Sequence, residues 1–353
     1  MKTQWVLSAL LISCISWEVS AIDVDKNATI KDTTTTLMGV NHIGLSVKNL
    51  DKTLAFYLQA TGFELVSREK ISGNKQADEL FGRADISYEV AVLKAPNMLF
   101  ELTEFKHNQH VTPQTMPPEG PGMTHTCFQS PASESGWDKF AEAGATPLSR
   151  GGQAIDLGGY GVTYGYAYDP EGNMIELEQL DDKVLANSGR AVWAHKEKMW
   201  MTQVAMATHD IERLMGFYQQ VLGFLPYRAA PLKDKIRADE IVDIDNVHMD
   251  GGWFKMNETS KTLEFWQYVN PITPKFTGQR DVTAMGYSFS LEVGDIQEEY
   301  RRLSELGLKF VSEPIKLGEF WIVYTHDIDG NAFSLRQAVN SESRLSVRKL
   351  DMQ

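Results

Sequence analysis

The chain has 353 residues, of which 42% are hydrophobic and 23% are charged. This composition is typical of a globular protein with a large core, and the length predicts two domains. Asp and Glu number 47 against 34 Lys and Arg, which gives a formal net charge of -13. Such an acid excess argues against binding to nucleic acid or to anionic membranes, so we expect a small-molecule substrate.

Residues 1–21 have the layout of a secretory signal. Lys2 precedes a short apolar stretch, which ends in the small residues Val19-Ser20-Ala21. The segment before Cys14 also fits a lipoprotein processing box loosely, which leaves a lipid anchor at Cys14 open. Both interpretations predict an exported protein, either periplasmic or secreted. No later run approaches the roughly 18 apolar residues of a membrane span.

One kind of repeated unit begins each half of the chain. The stretches VNHIGLSVKNLDKTLAFYLQATGFELV and TQVAMATHDIERLMGFYQQVLGFLPY both read as strand, polar turn, amphipathic helix and strand. Asn49 opens the first helix and His209-Asp210 the second, and Gly62 and Gly223 close them. The spacing therefore predicts the same fold at both places.

A second kind of unit ends each half. Residues 124–180 run through the helix WDKFAEAGA to YAYDPEGNMIELEQ, and residues 287–337 run through DIQEEYRRLSELG to YTHDIDGNAFSLRQ. In each unit a strand leads to a helix and then to strands joined by Gly, Asp and Pro turns. Four units thus follow one another, which predicts an α+β fold.

Four polar side chains lie near the middle of apolar, strand-like runs, namely His42, Glu101, His125 and Glu176. Alternate side chains of a strand share a face, and an ionised carboxylate on a buried face is costly unless it is paired or bound to a metal. Two imidazoles and two carboxylates suit one divalent ion such as Zn, Ni, Mn or Fe. Cys127 shares the face of His125, and we interpret it as a small buried filler.

The layout resembles the vicinal oxygen chelate superfamily, which includes glyoxalase I, extradiol ring-cleaving dioxygenases, epimerases and fosfomycin-resistance proteins. The resemblance covers about residues 38–338. It implies four βαβββ modules that pair into two curved mixed sheets, with the metal ligands on the first and last strands of a module. His42 and His125 fall on first strands, whereas Glu101 and Glu176 fall on last strands.

The resemblance leaves the pairing of the modules open. With pairing within each half, residues 38–180 form a first domain with the metal site, 181–198 a linker, 199–338 a second domain with a degenerate site, and 339–353 a tail. We prefer this simpler pairing, which gives a complete quartet. Crosswise pairing, as in some fused glyoxalases, would instead give a set similar to that of many eukaryotic glyoxalase I enzymes. That set is Gln203, Glu264, His125 and Glu176, while Ser288 and Ser334 fall at the remaining equivalent positions.

The resemblance implies a metal-dependent lyase or isomerase of the glyoxalase type, which acts through a metal-stabilised enediolate. A glutamate would carry the proton at the carbon next to the carbonyl. Glu176 is our first candidate for that base, and Glu101 is the second.

A ring-cleaving dioxygenase is the main alternative, because His42, His125 and Glu176 would form a two-His-one-carboxylate triad for Fe(II). Tyr166, a candidate catalytic residue, matches the extradiol signature, as does the Asp-Pro-x-Gly turn that follows it. The histidine that this signature places seven to nine residues before Tyr166 is absent, since residues 157–159 are Leu-Gly-Gly.

A third hypothesis is a protein that binds a small molecule without turnover. The second half carries aromatic side chains that could line a pocket, although aromatic residues favour strands and core packing is the simpler interpretation. These residues are Trp253, Phe254, Phe265, Trp266, Phe320 and Trp321.

Overall fold

The computed structural model describes residues 35–187, 199–231, 237–256 and 262–350. The predicted signal segment, Cys14 and most of the linker lie outside these ranges. Among the helices of the described ranges, none has the length and apolar character needed to cross a membrane.

Seventeen strands occur in the described residues. They are β1 Leu37–Ser46, β2 Glu64–Ile71, β3 Tyr88–Lys94, β4 Leu99–Phe105, β5 Gly122–Pro131, β6 Thr146–Pro147, β7 Ile155–Asp156, β8 Val162–Tyr168, β9 Met174–Leu180, β10 Trp200–Ala207, β11 Arg228–Pro231, β12 His248–Lys255, β13 Thr262–Asn270, β14 Gly286–Val293, β15 Ile315–Leu317, β16 Phe320–His326 and β17 Ala332–Ala338. The α-helices of the same residues are α1 Leu50–Thr61, α2 Lys75–Leu80, α3 Gly136–Ala143, α4 Asp182–Asn187, α5 Ile211–Leu222, α6 Ala238–Val242, α7 Ile296–Glu305 and α8 Val347–Leu350.

The strands form two curled mixed sheets, which confirms the predicted α+β fold class. Sheet A has the order β15-β16-β17-β14-β1-β4-β3-β2, and sheet B has the order β11-β12-β13-β10-β5-β9-β8-β6, with β7 beside β8. The first strands of two modules meet antiparallel at the centre of each sheet. His42 on β1 pairs with Ser290 on β14, and Ala205 on β10 pairs with His125 on β5.

The modules therefore pair crosswise, the first with the fourth and the second with the third. Our preference for pairing within each half is wrong, and the crosswise alternative is confirmed. Each sheet contains strands from both sides of the linker, so a cut at residues 181–198 does not separate one sheet from the other.

The predicted helix ends are confirmed at both repeated helices. The Asn49 side chain accepts a hydrogen bond from the backbone N–H of Lys52, and the Asp210 side chain accepts one from the backbone N–H of Arg213 at the start of α5. Gly62 and Gly223 follow the two helices with φ of 70° and 78°. Glycine takes this left-handed conformation with little strain, which ends each helix and turns the chain into the next strand.

One large core joins all four modules. The helices pack on one face of the sheets, and this core includes Phe100, Phe128, Phe265 and Phe333, each at most 1% exposed. Alternation places neighbouring residues on the opposite face, so Ile43 enters the core while His42 faces the other way. The second face of each sheet is thus free to carry polar side chains.

Candidate metal centre

His125 on the central strand β5 of sheet B lies between two carboxylates. Its Nε2 atom is 2.8 Å from Oε2 of Glu176 and 3.2 Å from Oε2 of Glu264. Glu176 comes from β9, which runs parallel to β5, whereas Glu264 comes from β13 on the far side of β10. All three residues are at least 95% buried, so the second and third modules build one enclosed polar cluster.

Gln203 on β10 closes this cluster. Its Nε2 donates to Oε1 of Glu176 at 3.0 Å and to Oε2 of Glu264 at 3.1 Å, while its Oε1 accepts from the Thr202 hydroxyl at 2.9 Å. Rotation of the amide by half a turn would present its oxygen to a cation instead. The sheet B cluster is therefore His125, Gln203, Glu176 and Glu264.

Aromatic side chains hold the two carboxylates in place. The Tyr164 hydroxyl donates to Oε2 of Glu176 at 3.0 Å, and the Trp253 indole N–H donates to Oε1 of Glu264 at 2.7 Å. Tyr166 contacts the Tyr164 hydroxyl at 3.0 Å, and its ring centroid is 4.8 Å from that of His125. These contacts fix the orientation of the acids and keep water away from them.

Trp266 stands beside Trp253 with ring centroids 5.2 Å apart. Its Nε1 atom is buried and has no hydrogen-bond partner among the described residues. A buried donor without an acceptor is costly, so this N–H is suited to an oxygen of a bound ligand.

The charged groups of the sheet B cluster shift one another's pKa values. Burial lowers the pKa of His125, but its hydrogen bonds with Glu176 and Glu264 outweigh that effect and raise the pKa to about 9. Burial raises the pKa of Glu176, and the nearby negative charge of Glu264 raises it further. The carboxylates thus favour a positive charge at this position.

The same donor set fits a divalent metal ion. One ligand atom from each of His125, Glu176 and Glu264 lies within 4.8 Å of the others. One neutral imidazole and two carboxylates leave two negative charges in a buried site, which a divalent cation would balance. An imidazole with oxygen ligands suits Zn, Ni, Mn or Fe rather than a thiolate-selecting metal.

The structure does not bring the predicted quartet together. His125 and Glu176 lie in sheet B, whereas His42 and Glu101 lie in sheet A, where Nε2 of His42 is 3.9 Å from Oε1 of Glu101. The prediction of one four-residue site is therefore wrong, because it depended on pairing within the first half. The triad of His42, His125 and Glu176 is not assembled either.

Cys127 is buried next to the sheet B cluster, as expected of a filler. Its Sγ is 4.0 Å from Oε2 of Glu178, and it forms a second close group with Glu176 and Glu178. Burial and the negative charges of the two glutamates raise the pKa of the thiol well above its ordinary value. The uncharged thiol is a poor metal ligand beside the imidazole and carboxylates of the sheet B cluster.

The prediction did not include the hydrogen bonds of Tyr164 and Trp253 with the two glutamates. Tyr164 shares a strand face with Tyr166, which was visible in the alternation along β8. Trp253 pairs with Glu264 across β12 and β13, a contact that depends on strand register.

A family model described as the glyoxalase/bleomycin resistance protein/dioxygenase superfamily matches residues 39–177 and 200–335. The chain belongs to this superfamily. Its members are commonly metal-dependent enzymes, and the sheet B cluster occupies the strand positions that the resemblance assigns to metal ligands. Residues 39–177 and 200–335 each contribute two of its four residues.

Individual relatives of this superfamily member have low sequence identity to it. The uncharacterized protein YurT of Bacillus subtilis (strain 168) is 28% identical over 139 residues, which are 39% of this chain and 99% of YurT. Glyoxalase I from Zea mays is similar in structure, with a TM-score of 0.57 and 18% identity over 85% of this chain and 92% of that one. A putative dioxygenase from Bacillus subtilis has a TM-score of 0.56 and 10% identity over 91% of this chain and 92% of that one. These similarities support the fold.

Proposed function

We propose that the protein is a metal-dependent lyase or isomerase of the glyoxalase type, which acts on a small oxygenated molecule. The observation that carries this proposal is the position of His125 Nε2 between two buried carboxylates, with the Gln203 amide bonded to both. This set contains one histidine, two glutamates and one glutamine. It has the composition that crosswise pairing predicted from the resemblance to eukaryotic glyoxalase I enzymes.

A divalent metal held by the sheet B cluster would supply Lewis-acid polarisation of a substrate carbonyl. Glu176 is the base that we assign to the proton on the neighbouring carbon, which it removes from one carbon and returns to the other. In the metal-free site, burial and the nearby charge of Glu264 raise its pKa, so it takes up a proton more readily than an exposed glutamate when no metal is bound. Tyr164 holds its Oε2 in position, and the unpaired Trp266 N–H is available to a substrate oxygen.

The dioxygenase alternative has less support. A facial triad for Fe(II) needs two histidines and one carboxylate, but His42 lies in sheet A, away from His125 and Glu176. The sheet B cluster offers one histidine and two carboxylates instead.

Metal analysis of matched histidine variants tests the assignment of the site. We expect about one divalent ion per chain in the wild type and in His42→Ala, and loss of most of that metal in His125→Ala. Both variants remove one buried histidine from the first strand of a module, so His42→Ala controls for general damage to a sheet. Equal metal contents in the two variants would contradict the assignment.

Solvent isotope exchange tests the reaction. The loaded enzyme is incubated in D₂O with small hydroxy ketones and thiohemiacetals, and deuterium at the carbon next to the carbonyl is measured by mass spectrometry. We expect exchange in the wild type and a loss of roughly 100-fold or more in Glu176→Gln, since general base catalysis contributes about 10²–10⁴-fold. Exchange that persists in Glu176→Gln would assign the base to another residue.

We also propose that the protein is exported and that its N-terminal signal is removed, either as residues 1–21 or as the residues before Cys14. The N-terminal layout of a lone Lys2, an apolar stretch and Val19-Ser20-Ala21 supports this. Mass spectrometry of the protein from its native source should find an N-terminus near Ile22, or a lipid on Cys14. An intact N-terminus at Met1 in the cytosolic fraction would refute the export proposal.

A further inference from the structure

Sheet A holds a cavity of its own, which the metal-centre assignment does not use. Its volume is about 400 Å³, within the range of pockets for small organic ligands. Strands of the first and fourth modules line it, from β2, β3 and β4 on one side to β14, β16 and β17 on the other. Among the described residues of sheet A, no group of three His, Cys, Asp or Glu side chains could hold a metal ion.

The walls of the sheet A cavity include a cluster of aromatic side chains, formed by Phe81, Tyr88, Phe105, Phe320 and Tyr324. The rings of Phe81 and Tyr324 are 5.2 Å apart and tilted by 35°, and those of Tyr88 and Phe105 are 5.3 Å apart. Such walls favour a planar, apolar body in the ligand.

Arg336 is the buried arginine among the described residues that line this cavity. It is 5% exposed, its guanidinium carbon lies 5.0 Å from the Phe320 ring centre, and its Nε has no hydrogen-bond partner among the described residues. Its NH2 atom is 3.6 Å from Oε2 of Glu101, which is longer than a hydrogen bond. The edge of the guanidinium formed by Nε and NH2 is therefore free to donate to a ligand.

The Glu101 carboxylate is also available to accept a hydrogen bond from a ligand. Its carboxylate has close approaches only to His42 at 3.9 Å and Arg336 at 3.6 Å, and it accepts no hydrogen bond from the described residues. Position by position, Ser288 and Ser334 stand where sheet B has His125 and Glu176. The strong metal ligands are thus replaced by hydroxyls, and Arg336 provides a fixed positive charge two residues beyond Ser334.

The charges select the kind of ligand. Arg336 and Glu101 balance each other. The other charged side chains of the lining are engaged elsewhere or exposed: Arg280 and Arg344 donate to backbone carbonyls, Asp281 pairs with Arg83, Glu319 accepts from Ser343, and Glu69 is exposed. A ligand carboxylate would add a second negative charge beside Glu101, and an ammonium group would add a positive charge beside Arg336. A neutral ligand with one acceptor and one donor satisfies both groups and leaves the buried charges balanced.

We propose that the sheet A cavity is a second ligand site, which binds a neutral aromatic molecule with a carbonyl group and a hydroxyl group. The carbonyl accepts from the Nε–NH2 edge of Arg336, and the hydroxyl donates to Glu101. The aromatic body lies against the rings of the wall. This site is independent of the metal centre in sheet B.

Calorimetric titration of EDTA-treated, full-length protein with three probes tests the proposal. The probes are 3-hydroxybenzamide, which is neutral, benzoate, which is an anion, and benzylamine, which is a cation at pH 7. We expect 3-hydroxybenzamide to bind at least tenfold more tightly than the two charged probes. Failure of 3-hydroxybenzamide to bind, or tighter binding of either ion, would overturn the proposal.

Variants that remove one of the two charges give a second readout, because the two substitutions should favour probes of opposite charge. Glu101→Gln leaves Arg336 uncompensated, so benzoate should gain at least tenfold in affinity. Arg336→Gln leaves Glu101 uncompensated, so 3-hydroxybenzamide should lose at least tenfold and benzylamine should gain. If Arg336→Gln does not fold, as judged by circular dichroism, the gain of benzoate affinity in Glu101→Gln still decides the question. An unchanged benzoate affinity in Glu101→Gln would refute the assignment.

His125→Ala locates the binding. It alters only the sheet B cluster, so the affinity for 3-hydroxybenzamide should be unchanged. If His125→Ala abolished binding while Glu101→Gln had no effect, the probe would bind in sheet B and the proposed site would be wrong. Because the titration uses metal-free protein, its result does not depend on the proposed enzymatic function.

Discussion

Replacement of Glu264 by Gln should lower the pKa of His125 in metal-free protein. Two hydrogen bonds with carboxylates hold the imidazole proton against the effect of burial and raise the pKa to about 9. The substitution keeps the shape of the side chain but removes one of the two negative charges. Burial, which lowers the pKa of a histidine, is then opposed by Glu176 alone.

The expected size follows from the energy of the lost interaction. A hydrogen bond to a charged group contributes about 1.5–3 kcal/mol, and one pKa unit corresponds to about 1.4 kcal/mol. Loss of the contact with Glu264 should therefore lower the pKa of His125 by about one to two units. Glu264 makes the longer of the two contacts, 3.2 Å against 2.8 Å, so Glu176→Gln should have the larger effect.

The assay is an NMR titration of the His125 imidazole between pH 5.5 and 10, with metal removed by EDTA. Glu101→Gln is the matched control, since Glu101 occupies the equivalent strand position in sheet A. The control should leave the pKa of His125 near 9. A wild-type titration curve in Glu264→Gln, or an equal shift in the control, would show that Glu264 does not stabilise the imidazolium.

Three further substitutions or conditions have defined outcomes. In metal-free protein, the pKa of His125 is raised from 6.5 to about 9, so protonation of His125 stabilises the folded state. This contribution of about 3 kcal/mol to the free energy of unfolding should be fully present below pH 6.5 and should be lost as the pH rises through 9. Urea titrations should show a larger loss of stability between pH 6 and pH 9 in the wild type than in His125→Gln, and equal losses would contradict this. Tyr164→Phe removes a donor to the buried Glu176 carboxylate and should lower that free energy by about 1–3 kcal/mol, whereas Tyr160→Phe, at an exposed site, should have no effect in the same urea titration. Phe333→Ala creates a cavity in the shared core and should lower the free energy of unfolding, measured in urea, by about 3–5 kcal/mol, whereas Phe333→Leu should lower it less. Equal losses in the two variants would show that cavity size is not the cause.

The sequence was sufficient to predict the modules but not the partners of their central strands. The helix ends at Asn49, Gly62, Asp210 and Gly223 depend on local contacts, which a short stretch of sequence specifies. Pairing depends on residues far apart in the chain. Both GMTHTCFQS and GYSFSLEV have the apolar pattern of a central strand, so the pattern alone does not say which of them pairs with β1.

The structure contains contacts that distinguish the two partners. The Asn41 side chain on β1 donates to Oε2 of Glu292 on β14 at 2.7 Å in a buried position. A Cβ atom at Gly44 would lie 2.4 Å from Oγ of Ser288, so glycine there leaves room for this hydroxyl against β1. Neither residue indicates its partner until the strands are paired.

The site residues divide in the same way, into those that one module specifies and those that depend on the pairing of modules. His125 and Glu176 belong to one module, and their assignment holds for either pairing. His42 and Glu101 lost their place in the predicted site when the pairing changed, and Glu264 gained one. Arg336 gave no signal at all, because its burial beside Glu101 results from contact between the first and fourth modules.

Crosswise pairing makes each half of the chain a contributor to both sheets. A premature stop at the linker would remove two of the four residues of the sheet B cluster, Gln203 and Glu264, and with them the fourth-module wall of the sheet A cavity. Truncation would therefore not leave one working domain behind. Selection on either the sheet B cluster or the sheet A cavity preserves both halves of the gene together, so neither half is free to be lost while one of the two sites is still needed.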